Sequence, residues 1–279
     1  MIAQYSFDKV RCIEFDNLFE QREYVEKAIN DNKWSVIREI REGQTKRSDF
    51  FGETNLSETI YAMDYGLQGY TNYFLDNISE VKQEADCNDE LFMDSEGFAY
   101  DMGSVVSGVP ECCINGGSPT STPTIKIFVD ITFYWGISAK EIQNRGIAIT
   151  NLINTLLHKK YIIDLAFVDF NIQRDLQTMI ITKFDSTTLS VATVALMCSP
   201  QFFRQLSWIA TDELRGRNSD MGRGTSGMNN YLKNKIDEEN IFFIGGSYND
   251  RKVGEGVYKS IESANKHITK LFNKFAEKS

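Results

Sequence analysis

Two hydrophobic rhythms divide the chain. Beyond residue 124, short apolar runs alternate with helical stripes, the pattern of an α/β layer; before residue 115, helical spacing prevails and strand alternation is weak. IKIFVDI (125–131) is a continuous apolar run and predicts a central strand buried on both faces. Ser138 and Glu141 have capping-box spacing, and Ile142, Ile149, Leu152, Ile153, Leu156 and Leu157 then form one helical stripe. His158, Lys159 and Lys160 suit that helix's C-terminus, where positive charge meets the dipole. IIDLAFVDF (162–170) follows at once, so strand, helix and strand predict a right-handed parallel crossover.

The next strand, TMIITKFD (178–185), is reached through NIQRDLQ, too short for a crossover helix, which predicts an antiparallel hairpin. Asp130 and Asp169 then share one end of the sheet and Asp185 lies at the other. Two helical pieces meet at Ser199-Pro200, and Phe202, Phe203, Leu206, Trp208 and Ile209 read as core. A strand at IFFIGG (241–246) and a last helix with Val257, Ile261, Ala264, Ile268, Leu271 and Phe275 on one face complete the layer. In the first part, residues 22–42 and 56–85 predict helices, the second capped at Ser57 and broken at Gly66 or Gly69.

NGGSPTSTPT (115–124) concentrates turn formers and reads as a linker. The predicted organisation is an acidic, mostly helical region over 1–114, this linker, and an α/β domain over 125–279. That domain is expected to hold a mostly parallel sheet with one antiparallel hairpin strand and flanking helices. The charge follows the same division: residues 1–120 carry 10 Lys+Arg against 23 Asp+Glu, within a chain of net charge −9. The acidic part is therefore a solvated surface facing its basic neighbour, or a docking surface for a basic partner. Nonspecific nucleic-acid binding is disfavoured, because neutralising phosphates needs a basic face. No apolar run reaches the roughly 20 residues of a membrane helix, and the first residues lack a signal-peptide core, so a cytoplasmic setting is expected. Five cysteines without CxxC spacing point to reduced thiols.

The order of elements after residue 124 resembles the von Willebrand factor A fold. That resemblance implies a metal site at the strand ends, with D-x-S-x-S after the first strand and a distant Thr and Asp. Here the first motif reads Asp130-Ile131-Thr132-Phe133-Tyr134. Asp130 is kept, Thr132 replaces the first serine and Tyr134 departs from the second; Thr225 and Asp250 stand in for the distant pair, with Asp169 as a further carboxylate. Mg²⁺ is the ion such a set would take, although losing a hydroxyl to an aromatic ring weakens a hard-cation site and no cofactor is expected. The other fate of Asp130 is to cap the nearby helix or accept from loop amides.

Arg215, Arg217 and Arg223, interleaved with glycines, form a loop able to contact phosphate or a partner, without a P-loop lysine pattern. The histidines, His158 and His267, lie on predicted helices, and no catalytic residue is assigned.

Residues 58–66 (ETIYAMDYG) and 98–112 (FAYDMGSVVSGVPEC) are similar to a family of uncharacterised tailed-bacteriophage proteins with a Gly-x-Pro-Glu-Cys element. The resemblance implies phage origin and an intracellular life in an infected bacterium, but no reaction. Tyr100, Asp101, Gly103, Gly108, Pro110 and Glu111 read as an irregular interdomain clamp, the glycines permitting tight backbone and the proline an extended approach. The leading expectation is a non-enzymatic phage protein binding a viral assembly component, a phage ATPase or a host factor. The strand-end loops 130–138, 169–177, 215–227 and 247–254 are offered as contact surfaces. The alternatives are a metal-dependent hydrolase acting on nucleic acid and an acidic decoy of a DNA-binding host protein.

Overall fold

The computed structural model describes residues 2–7, 10–31, 37, 40, 54–78, 91–94, 99–100, 113–116, 123–133, 137–159, 161–173, 176–184, 189–216, 241–246 and 256–277. In chain order they form β1 (Ala3–Phe7), β2 (Val10–Phe15), α1 (Leu18–Asp31), α2 (Leu56–Tyr65), α3 (Gln68–Asn77), β3 (Leu91–Asp94), β4 (Ala99–Tyr100) and β5 (Cys113–Gly116). Then come β6 (Thr124–Asp130), α4 (Ala139–His158), β7 (Ile162–Gln173), β8 (Leu176–Phe184), α5 (Val191–Met197), a π-helical turn (Phe202–Ser207), α6 (Trp208–Arg215), β9 (Ile241–Ile244) and α7 (Ile261–Ala276).

The main sheet has the order β1-β2-β8-β7-β6-β9. β6 pairs in parallel with both β7 and β9, β8 is antiparallel to β7, β2 is parallel to β8, and β1 closes an antiparallel hairpin with β2. It is a mixed α/β sheet with flanking helices. The crossover from β6 through α4 to β7 and the β7–β8 hairpin are the ones the spacing predicts. Two expectations need correction. Residues 3–15, in the part read as mostly helical, supply two strands to the same sheet, because their apolar positions alternate too briefly to stand out in sequence. Residues 115 and 116, read as linker, belong to β5, which joins β3 and β4 in a small antiparallel sheet.

All the described helices contribute to one apolar cluster, on the sheet face that carries Ile13, Ile127, Val129, Leu165, Phe167 and Ile180. The other face, with Val10, Cys12, Ala166, Val168, Phe170, Met179 and Ile181, holds a second cluster built, among the described residues, from strands alone. This corrects the expectation for β6: Thr124 and Lys126 are exposed and Phe128 half-buried, alternating with buried Ile125, Ile127 and Val129. Its apolar run therefore serves two unequal faces.

Local signals account for several helix ends. Ser138 caps α4 and forms the predicted capping box with Glu141. In α2 the cap is Asn55, paired with Glu58, rather than Ser57; Gly66, at φ 76°, ends the helix where a side chain would be strained. Ser260 caps α7, whose Ala264 and Ile268 are buried beside α4.

Within α4, Gly146 is a contact point. A Cβ there would lie 2.6 Å from Cys198 Cβ and 2.7 Å from the Phe74 ring. Gly146→Ala is expected to lose about 2 kcal/mol of stability in urea unfolding, the overlap outweighing the roughly 1 kcal/mol that alanine adds in a helix. An unchanged or raised midpoint would contradict this close packing.

Candidate functional site

The carboxyl ends of β6 and β9 lie together beside the middle of β7, and β6 has a parallel neighbour on each side. Ligand crevices in open α/β sheets form at such strand ends. Three sequence candidates meet there. Asp130 Oδ1 accepts from the Thr132 amide at 2.8 Å, and the Thr132 hydroxyl donates to Asp169 Oδ1 at 3.2 Å while accepting from the Phe170 amide at 2.9 Å. Asp169 Oδ1 also accepts from Asn171 Nδ2 at 2.9 Å, and its Oδ2 accepts from the Ser207 hydroxyl. All five side chains are buried, none more than 3% exposed.

Alternation along β7 explains the placement. Asp169 and Asn171 share the helix-bearing face with Leu165 and Phe167, so they enter the core where the π-helical turn delivers Ser207. Asp169 is not at a strand end, as the sequence suggested. β7 runs on to Gln173, so most of the expected 169–177 loop is strand, and Asp169 stands opposite Ile180.

Arg145 was not among the sequence candidates. Its guanidinium is 1% exposed, and Nη2 donates to the carbonyls of Asp130 (2.9 Å), Ile244 (3.2 Å) and Gly245 (2.9 Å), tying the ends of β6 and β9 together. Phe133 and Tyr258 present their rings 5.4 and 6.0 Å from Cζ. Nε and Nη1 have no hydrogen-bond partner. The readable signal was an arginine at i+3 between Ile142 and Ile149, on the apolar stripe. Gly246 closes the arrangement: a Cβ would meet the Thr132 carbonyl at 2.5 Å and Asp130 Cγ at 2.8 Å.

The chemistry available here is limited by saturation. Asp130 and Asp169 face hydrogen-bond donors from the protein itself, and a cation would have to displace them. Among the described residues, no three His, Cys, Asp or Glu side chains converge as a metal set. Thr225 and Asp250 lie outside the described residues, as do Arg217, Arg223, Asp101, Gly103, Gly108, Pro110 and Glu111. Arg215 departs from the expected exposed phosphate grip. It is the last residue of α6, 3% exposed, because the helix runs on to the left-handed Gly216, and its carbonyl accepts from Arg11 Nη1 at 2.9 Å. Tyr100, the first clamp residue, is paired with Cys113 in the small sheet, so the clamp begins in strand rather than irregular backbone.

Cys198, beside Arg145, is fully buried, and burial pushes its thiol from 9.0 up to about 12. The folded protein holds the neutral thiol, so this contribution is complete below pH 9 and lost as pH rises toward 12. Unfolding free energy is expected to fall between pH 9 and 11 by about 1.4 kcal/mol per unit from this group. Cys198→Ala should flatten the slope by that amount; equal slopes would refute the assignment.

A more open surface lies elsewhere. α1 and α2 flank a groove of about 450 Å³ lined by Arg22, Glu26, Ile29, Asn30, Ile60 and Tyr61. Tyr61, in the groove lining, is 61% exposed and its ring stacks at 4.5 Å on that of Tyr65, which is 65% exposed; Phe19, three residues before Arg22 on α1, is 60% exposed. Arg22 pairs with Glu26 within α1 at 3.0 Å and reaches across to Asp64 of α2. Sequence reading missed this face because the aromatic residues are scattered among helix-compatible polar ones.

No described helix is long and apolar enough to cross a membrane. A protein-family model described as Domain of unknown function (DUF7192) matches residues 4–274. No curated protein and no solved structure matches the chain.

Proposed function

We propose that this chain, which belongs to the family described as Domain of unknown function (DUF7192), is a non-enzymatic protein that binds another polypeptide through its α1–α2 face. The observation that carries the reading is the exposure of the stacked pair Tyr61 and Tyr65 at the α1–α2 groove that Tyr61 lines, with Phe19 exposed on α1 as well. Aromatic side chains held in water by a folded scaffold are costly to leave bare and are enriched at protein interfaces. The strand-end cluster supports the same reading from the other side, since its carboxylates are engaged by internal donors.

On this reading the C-terminal part is a degenerate von Willebrand A-type layer, with Asp130 holding the Thr132 amide where the fold elsewhere holds an ion. The resemblance to tailed-phage proteins implies a partner in the cytoplasm of an infected bacterium: a viral assembly component, a phage ATPase or a host factor.

The test is capture from infected cells with the tagged full chain, wild type and Tyr61→Ala/Tyr65→Ala side by side. A partner recovered by the wild type and lost by the variant, with unchanged circular dichroism, supports the face. Equal recovery places the contact elsewhere. Mg²⁺- or Mn²⁺-dependent cleavage of nucleic acid, abolished by Asp130→Ala, would overturn the non-enzymatic reading itself.

A further inference from the structure

We propose that the chain assembles head to tail, the lysine-bearing face of α7 in one copy seated against the acidic α1–α2 face of the next. This rests on the binding role given to that face and names one occupant for it.

The first half of the argument is the α7 surface. A groove of about 340 Å³ runs along it, lined by Val257, Lys266, His267, Lys270, Leu271 and Lys274. Lys266, Lys270 and Lys274 are exposed and recur every four residues, so they form one line with about 6 Å of rise between neighbours. Val257 and Leu271 add apolar surface, and among the described residues no carboxylate lines the groove. In a chain of net charge −9, such a lining is the exception.

The second half is the complementary face. Among the described residues, α1 and α2 carry Glu23, Glu26, Glu58 and Asp64 against Arg22 and Lys27. Arg22 is already engaged by Glu26 and Asp64, which leaves the balance negative. Tyr61 and Tyr65 offer exposed rings to an ammonium group. The same molecule makes such a contact elsewhere, with Lys140 Nζ 4.0 Å from the centre of the Tyr73 ring.

One copy cannot satisfy both faces. α1 packs beside β2 and α7 beside β9, four strand spacings apart in the sheet, about 19 Å. The contact is therefore intermolecular and heterologous, and it repeats as an open chain or closes as a ring.

The experiment is sedimentation velocity on the full chain over a concentration series at low salt. Average mass is expected to rise with concentration, and association to weaken at least about tenfold between about 50 mM and about 500 mM NaCl. Lys266→Glu/Lys270→Glu and Glu23→Lys, all at exposed positions outside the helix caps, should each abolish it. Mixing these two variants pairs the untouched acidic face of one with the untouched lysine face of the other and the two reversed faces with each other, so assembly should return as an alternating chain. A monomer at every concentration, or association indifferent to salt and to both reversals, overturns the proposal.

The two proposals fail separately. If Lys266→Glu/Lys270→Glu still captures a partner from infected cells while the wild type does not self-associate, only the assembly inference falls. If Tyr61→Ala/Tyr65→Ala alters neither capture nor association, the α1–α2 face itself is wrong.

Discussion

Asp169→Ala is expected to lower the unfolding free energy by about 4 kcal/mol in urea titration, the largest effect of any substitution considered for this chain. The carboxylate accepts from Thr132, Asn171 and Ser207 in a region closed to water. Removing it strands three donors at about 1–3 kcal/mol each, partly offset because a buried charge no longer has to be desolvated. Asp169→Asn separates the two contributions. Its amide oxygen can keep the place of Oδ1, and the Ser207 hydroxyl can turn from donor to acceptor, so the loss should shrink to about 1 kcal/mol. Equal losses in the two variants would mean that the negative charge, and not the acceptor geometry, holds the cluster together. A loss below about 1 kcal/mol in the alanine variant would show that the cluster is not a structural element.

Arg145→Ala is expected to cost about 3 kcal/mol, measured in the same way. Two effects compete. The guanidinium donates to three strand-end carbonyls and its stem fills core volume, so truncation leaves acceptors without a donor and a cavity beside Phe133 and Tyr258. Against this, the native side chain keeps a buried charge with Nε and Nη1 unpartnered, and that strain disappears. Arg145→Met fills the volume, removes the charge and lacks the donors; a loss of about 1 kcal/mol is expected. If methionine is as damaging as alanine, the hydrogen bonds dominate and packing is secondary. If alanine is harmless, Arg145 does not tie β6 to β9.

These two residues show how differently the site could be read beforehand. Asp169 was visible as a carboxylate on an apolar strand, and the period-two pattern put it on the face of Leu165 and Phe167. Its partner Ser207 was not visible, because nothing in SPQFFRQLS distinguishes a π-helical turn from an ordinary helix. Arg145 was legible in principle, as a charge on the apolar stripe of α4, yet its acceptors are backbone carbonyls from two other strands. Backbone acceptors carry no residue identity, so sequence offers no spacing by which to find them.

The sequence by itself determined the local chemistry: the capping box of α4, the amphipathic stripe of α7, a glycine break at Gly66 or Gly69, and the β6–α4–β7–β8 order with its short hairpin. Each is settled by residues within a few positions of one another, where propensity, periodicity and connection length act directly. Only the tertiary structure decided that residues 3–15 extend the sheet, that the described helices pack on one face, and that Asp130, Thr132 and Asp169 hydrogen-bond inward. Those outcomes depend on pairings between residues far apart in the chain, and the energy of such a contact belongs to the pair rather than to either segment.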